Sequence, residues 1–486
     1  MSKSVKKTNS VGKNIVYQTV YQVLAVITPL ITSPYVSRVL GAEGLGEYSF
    51  AWTNALYFSL FAMLGVSNYG VRSIANVQES KEKRSAVFWS IYAIQAIMTG
   101  IMLTAYIIYV CVGVKGNKIP AITQGFIIIS CFFDVNWYFF GVERFKLTAI
   151  RSIAAKLLTV LGVLLFVNRN TGVPGYGMVM GLGTFLSSAV LFPFLRSEID
   201  FAKPTWNTIK PHIKPNLVFF IPALANSIFH IMDKTMLGML SGNAQLGYYM
   251  NADKVISIPM GIINGLGTVY LPRITAMRSE TGEAQITKEL TKSFELHSFF
   301  IFALSFGLAA IAAEFSPVFF GPGFDPCVML IIAFTPVLVV KAYGSYFRTN
   351  VLIPFNREKQ YTAAVILGAI VNLSANALLI PRFQALGAVF GTLLAETAVF
   401  IVQLYKLPAK LPIQSVISKS APYFVFGMIM TAVIRIVSAF PLRPILLAAA
   451  EVICGGAVFL SCCILFWKVS KHESIITSLF KNKAAP

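Results

Sequence analysis

Apolar stretches long enough to cross a bilayer recur from residue 15 to residue 467. A hydrocarbon core of about 30 Å needs ~20 mostly apolar residues per helix. Inside hydrocarbon each span must satisfy its own backbone N–H and C=O groups, so only helices and closed barrels cross it. The short alternating strands of a barrel are missing from this sequence. The pattern predicts an all-α polytopic membrane protein. Fourteen spans are expected, at about 15–37, 48–71, 87–110, 121–141, 147–168, 175–195, 215–240, 247–272, 297–320, 326–350, 360–381, 386–405, 415–438 and 444–467. Only 12% of residues are charged and mean hydropathy is +0.70, against roughly 25% charged in soluble domains.

A formal net charge of +20 invites a nucleic-acid reading, but its distribution argues against one. With the N-terminus inside, the cytoplasmic segments hold 27 Lys and Arg and the outer loops hold 6. That asymmetry is a topogenic signal facing anionic lipid. It places both termini in the cytoplasm, in a multi-pass protein of the cell (cytoplasmic) membrane, with no nucleic-acid partner. The basic N-terminal segment leads into a full-length apolar stretch and reads as a first retained helix. The six cysteines fall mostly inside spans without metal-ligand spacing, so no metal site is expected.

Thirteen charges remain within the spans: Arg151, Lys156, Lys234, Lys254, Lys341, Arg348, Arg435, Asp134, Asp233, Asp253, Glu314, Glu396 and Glu451. Each costs on the order of 2.5–3.5 kcal/mol at a bilayer centre on insertion scales. They are expected to pair with one another or to line a polar interior.

An internal repeat is visible. "GAEGLGEYSFA" (41–51) aligns with "GNAQLGYYMNA" (242–252), and "GYGMVMG" (175–181) with "ALGAVFG" (385–391). Each half then holds six spans, an even number, so the halves share one topology as parallel repeats. The expected division is an N-terminal lobe over 1–200, a C-terminal lobe over 201–410, and two further spans with a basic tail over 411–486. Pro29 and Pro34 interrupt the first span, and Pro215 and Pro222 its counterpart. Proline removes a helix hydrogen bond. Together with Gly261 and Gly265, which permit close helix approach, these are candidate gating positions. Static packing is the plainer alternative.

Three segments carry a family resemblance: "ITPLITSPYVSRVLGAEGLGEYSFA" (27–51), "LFAMLGVSNYGVRSIA" (60–75) and "FFDVNWYFFGVERFKLTAIR" (132–151). It continues in "HIMDKTMLGMLSGNAQLGYY" (230–249) and through 356–396. These resemble the Wzx-type polysaccharide-unit flippases of the multidrug/oligosaccharidyl-lipid/polysaccharide (MOP) superfamily, which also holds the MATE exporters and the MviN-type lipid II flippases. The resemblance implies a MATE-like fold of two six-helix lobes about a central cavity that opens alternately to each side. It implies translocation of an undecaprenyl-pyrophosphate-linked oligosaccharide for capsule, O-antigen or exopolysaccharide synthesis. A polymerase and glycosyltransferases would act beside it. The last two spans would offer a groove for the lipid tail.

Such a substrate carries a pyrophosphate, which Arg and Lys suit. Lys341, Arg348 and Lys156 are the first candidates to attract the headgroup, with Arg151, Lys234 and Lys254 beside them. Lys341 and Arg348 lie seven residues apart on one helical face. Structural pairing with carboxylates is the competing reading. Asp134, Asp233, Asp253 and Glu396 are the candidates for ion coupling or for that pairing, since a buried carboxyl group can exchange a proton. The resemblance permits H⁺ or Na⁺ as coupling ion and chooses neither; no other cofactor is expected. Asp134, Trp137 and Gly141 at i, i+3 and i+7 would share one face, with Asp134 paired to Lys156 or Arg151. Residues 279–300 carry Ile286, Leu290 and Phe294 at helical spacing and read as an interfacial helix.

No GxxxxGK[ST] loop and no Ser-His-Asp constellation is found, so neither ATP hydrolysis nor enzymatic chemistry is expected. A MATE-like drug or cation antiporter would favour acidic cavity residues without cations, whereas here seven basic residues face six acidic ones. A lipid II flippase shares the span count. A membrane glycan polymerase or glycosyltransferase usually needs a large outer loop or soluble portion, and the loops here are short.

Overall fold

The computed structural model describes residues 2–280, 282–405, 407 and 413–469. The basic C-terminal tail and most of the loop before span thirteen lie outside those residues. The described chain is helical throughout: α1 (Ser2–Met63), α2 (Val66–Asn76), α3 (Lys81–Ile108), α4 (Ile119–Phe133), α5 (Asn136–Gly141), α6 (Phe145–Phe166), α7 (Gly172–Ala189), α8 (Trp206–Ser241), α9 (Asn243–Glu280), α10 (Glu283–Phe320), α11 (Pro326–Phe347), α12 (Glu358–Leu404), α13 (Ile413–Val437) and α14 (Pro444–Val469).

Twelve segments are long and apolar enough to cross a membrane among the described residues. Two of them, Ile27–Asn76 and Glu358–Leu404, are broken by a non-helical residue, Gly41 and Gln384 respectively, and the first also takes in the Leu64–Gly65 turn between α1 and α2. Dividing these two at Gly41 and Gln384 turns twelve into fourteen, the number the hydropathy pattern predicts. The breaks do not fall at Pro29, Pro34 or Pro222, which sit inside α1 and α8.

The chain forms two compact units, Met1–Met250 and Asn251–Pro486. Within the first unit the repeat acquires a physical meaning. Gly41 has φ 65 and ψ −179, and its repeat partner Gly242 has φ 85 and ψ 175. Only glycine adopts that backbone region readily. Each glycine ends one span and starts the next. Just beyond them the two turns touch reciprocally. A Cβ on Gly46 would overlap the Asn243 carbonyl, and a Cβ on Gly247 would overlap the Ala42 carbonyl. The repeat offset converts one contact into the other. Reciprocity of this kind is what a local two-fold generates.

The first unit has one core where α2, α3 and α5 meet, around Ile74, Phe88, Trp137, Tyr138 and Leu195. A second lies between α1, α3 and α4, around Ala55, Tyr106 and Ile128. In the second unit α10 is the organising element. One of its faces packs on α13 and α14 through Phe302, Tyr423, Met430, Phe459 and Trp467. Its first turns pack on α9 and α11.

That last packing corrects the expectation of an interfacial helix over 279–300. Glu283–Phe320 is one uninterrupted helix. Ile286, Leu290 and Phe294 are buried against Ile274, Tyr346, Phe347 and Val351. The apolar stripe was real, but it faces protein. An amphipathic pattern names the buried side of a helix and says nothing about what covers it.

Candidate functional site

Span four departs from the sequence expectation. The helix stops at Phe133 and restarts at Asn136, giving α4 and α5. Asp134, Trp137 and Gly141 therefore do not lie on one continuous face. A broken helix strands backbone carbonyls, which hydrocarbon tolerates only if neighbouring polar groups take them up. Here α3 supplies those groups. Gln95, fully buried, donates to the Cys131 carbonyl at 2.5 Å and to the Asp134 carbonyl at 2.9 Å. Tyr92 donates its hydroxyl to the Phe132 carbonyl at 3.1 Å. The Gln95 amide oxygen then accepts from Trp137 Nε1 at 2.9 Å.

Asp134 itself is spent locally. Its carboxylate accepts from the Asn136 backbone N–H at 3.0 Å and from Asn136 Nδ2 at 2.7 Å. The expected pairing with Lys156 or Arg151 is replaced by this turn. Arg151 donates instead to the Ser187 carbonyl at 2.5 Å and to Ser152 Oγ at 2.8 Å. It stands in a groove of about 310 Å³ between α6 and α7, walled by Leu158, Phe166, Leu182 and Leu186. Lys156 is half-buried one turn further along α6.

Trp137 and Gly141 close α5 onto α2. The Trp137 ring fills the space where a Cβ of Gly70 would stand. A Cβ at Gly141 would come within 2.7 Å of Ile74 Cβ. The motifs that carry the family resemblance in spans two and four are thus the two sides of one packed joint.

Asp233 on α8 is buried and accepts from the Tyr249 hydroxyl and from the Lys234 backbone N–H at 2.8 Å. Thr235, two residues on, donates to Tyr57 at 3.4 Å. Lys234, Asp253 and Lys254 are half-buried. Of the candidate glycines, Gly265 has open space where a Cβ would stand.

In the second unit α11 and α12 form a charged seam. Lys341 Nζ lies 3.9 Å from Glu396 Oε1, with side chains 33% and 8% exposed. Arg348 begins a short π-helical turn at Arg348–Leu352 and stacks over the Tyr361 ring at 5.5 Å. Lys341 and Arg348 both turn to α12 as their spacing predicts, but to its two different halves. Two buried amides lie in the same unit, Asn350 on the side of its helix that faces Gly267 of α9. Asn350 has neither amide atom partnered, and the side-chain oxygen of Gln403 is also without a partner. Ser345 Oγ donates to Asn264 on α9 at 2.6 Å.

Sequence reasoning missed these amides because it followed formal charge. It also missed a polar clamp at the start of α13. Glu295 on α10 accepts from Tyr423 at 3.0 Å and lies 3.9 Å from Lys419, while Trp467 of α14 donates to Tyr423 at 3.3 Å. A signal was present: Glu295 lies in a stretch otherwise continuous with an apolar span.

The comparisons with known proteins bear on this arrangement. Residues 11–278 match the model of a family described as polysaccharide biosynthesis protein. The chain belongs to that family. It is similar to a candidate O-antigen transporter of Escherichia coli (strain K12), 24% identical over 400 residues that cover 80% of this chain and 95% of the relative. A second candidate O-antigen transporter, from Shigella dysenteriae, is 21% identical over 77% of this chain and 94% of its own length. Among solved structures, the inward closed conformation of the lipid II flippase MurJ aligns with a TM-score of 0.74 at 15% identity, covering 94% of this chain and 98% of MurJ. An inward-facing MATE multidrug transporter of the MOP superfamily aligns at 0.60 and 12% identity, over 88% and 100%. The fold is therefore the one that MurJ and the MATE transporter share, and the protein is a multi-pass membrane chain of the polysaccharide biosynthesis family.

Proposed function

We propose that this protein flips an undecaprenyl-pyrophosphate-linked oligosaccharide across the cytoplasmic membrane by alternating access, with both termini in the cytoplasm, and that it performs no covalent chemistry. The observation that carries the reading is Lys341. A cation in the middle of an apolar span, one-third exposed and 3.9 Å from Glu396, is held without being sealed. Lys419 stands equally far from Glu295, but that carboxylate also accepts from Tyr423, which ties the pair into the packing of α10 and α13. An ammonium at that separation keeps donors for phosphate oxygens. Arg348, on the same helical face and spread over Tyr361, adds a second cation for the phosphate oxygens. Partner glycosyltransferases would supply the lipid-linked unit and a polymerase would consume it.

The test is export in cells lacking the gene and complemented with variants. Lys341→Ala at normal protein level should trap lipid-linked units in the inner leaflet, and Lys341→Arg should restore part of the export. Unimpaired export by Lys341→Ala would remove this residue from the mechanism. A drug antiporter is disfavoured by the cationic seam. Lipid II as cargo is distinguished by whether loss of the gene halts peptidoglycan or only the secreted glycan.

A further inference from the structure

We propose that Glu451 holds a proton at neutral pH, and that with Glu314 it forms a one-proton site at one end of the α10–α13–α14 layer. α14 packs against α10 and α13. Ala310, Ile434 and Phe459 belong to the shared core, and Gly455 lies against Ile434. Residues four apart on a helix stack on one face. Glu314 follows Ala310 by four, Ser438 follows Ile434 by four, and Glu451 precedes Gly455 by four. The three side chains therefore meet one turn beyond that core.

Glu451 is 0% exposed. Its Oε1 lies 2.6 Å from Ser438 Oγ, and its Oε2 is buried without a partner, as is Oε2 of Glu314. Ser438 Oγ also lies 2.9 Å from the Ile434 carbonyl oxygen. A hydroxyl has one hydrogen to give. The carbonyl has none. With Glu451 ionised, two acceptors compete for that hydrogen, and one short oxygen–oxygen contact is left empty. With a proton on Glu451, the acid donates to Ser438 and Ser438 donates to Ile434, and both contacts are filled.

Charge leads the same way. The charged groups acting on Glu451 are Glu314 from α10 and Arg435 from α13. No ion pair joins any of these three among the described residues, and Arg435 is exposed. Three other buried carboxylates have a cation beside them: Glu396 has Lys341 at 3.9 Å, Glu198 has Arg144 at 2.8 Å and Glu295 has Lys419 at 3.9 Å. Two neighbouring carboxyl groups in apolar surroundings take up a proton in preference to two charges. The assignment is independent of which glycan is carried.

Infrared difference spectroscopy on the full chain in lipid nanodiscs tests it, because a protonated carboxyl has a carbonyl band that a carboxylate lacks. At neutral pH, without sodium, the wild type minus Glu451→Gln difference should show that band, shifted in deuterium oxide. In Glu314→Gln, which removes the like charge and leaves Glu451 in place, the band should titrate away at lower pH than in the wild type. Ser438→Ala should move its frequency and keep it. Glu451→Gln spectra identical to wild type in this region would overturn the proposal. So would a band abolished by added Na⁺ at constant pH, which would make the pair a metal-cation site. If Glu451→Gln does not fold, the Glu314→Gln and Ser438→Ala spectra decide alone: no carboxyl band responsive to either change overturns it.

Discussion

The α2–α5 joint of the first unit and the α11–α12 seam of the second are both polar clusters set in apolar helices. They are finished to different degrees. In the joint, the carbonyls of Cys131, Phe132 and Asp134, freed by the helix break, each have a side-chain donor. Gln95 serves two of those carbonyls and one indole, and Trp137 occupies the gap above Gly70. In the seam, the ion pair is long, Gln403 keeps an unpartnered amide oxygen, and Lys341 is one-third exposed. The joint too keeps a buried oxygen without a partner, Asn136 Oδ1. Its freed carbonyls are nevertheless all taken up, and the more completely a buried network is satisfied the more rigid it is. The residues that make the chain recognisable belong to the joint. The residues best placed to meet a ligand belong to the seam.

This contrast predicts where substitutions hurt folding most. Trp137→Ala should have the largest effect. It empties a fully packed site and leaves the Gln95 amide oxygen without its indole donor. Large-to-small changes of this type cost roughly 3–5 kcal/mol. The expected outcome is a large fall in thermal stability in detergent, with export lost in proportion to folded protein. If Trp137→Ala is as stable as wild type while export fails, the joint is a functional site and the contrast collapses.

The reciprocal turns come next. Gly46→Leu and Gly247→Leu each force a side chain into a carbonyl of the opposite turn. Overpacking of this kind costs about 1–3 kcal/mol. Because the two contacts are related by the repeat, the two variants should lose similar stability, measured as the midpoint of thermal unfolding. The double variant should lose less than the sum, since both strain one interface. Strongly unequal single effects would show that the local two-fold is geometric only.

How far the sequence reveals this depends on the length scale of the signal. Spans are averages over about 20 residues, and the hydropathy pattern recovers them. The Gly41 and Gly242 turns are visible because the same short motif occurs twice. The break at Asp134 is not visible. "CFFDVNWYFF" has no proline or glycine, and what permits the break is Gln95, 36 residues before the Cys131 carbonyl it serves. Gln384 interrupts α12 equally without warning. Charged candidates were legible as charges and illegible as pairs, because a partner is a property of packing. Lys341 found Glu396, and Asp134 found its own neighbour Asn136. The amides were overlooked because their hydropathy disappears in an apolar average.

Lys341→Ala separates the two regions directly. As a screened contact the pair is worth little, about 0–1 kcal/mol. Lys341→Ala alone also strands the buried Glu396, at a cost of roughly 3–5 kcal/mol. It is therefore combined with Glu396→Gln to give the variant that is free of that penalty. The double variant should unfold within a few degrees of wild type and yet fail to export, the reverse of Trp137→Ala. A fall in stability comparable to that of Trp137→Ala would place the seam with the joint.

The smallest effect is expected at Asp134. Its carboxylate accepts from the Asn136 backbone and side chain, and nothing in that role requires a charge. Asparagine keeps an acceptor oxygen of the same reach, and Asn and Asp both hydrogen-bond the backbone two residues on in a turn of this kind. Asp134→Asn should therefore change stability by only a few tenths of a kcal/mol, within about 0.5 kcal/mol, and leave export intact. Asp134→Ala removes the acceptor and should cost ~1 kcal/mol in lost hydrogen bonding. The pair of variants, read by thermal unfolding and by export, isolates charge from hydrogen bonding. If Asp134→Asn folds normally and abolishes export, the charge itself acts in transport. The joint would then hold a working group inside its packing, and the division between recognisable and reactive residues would fail at the position where it is most easily tested.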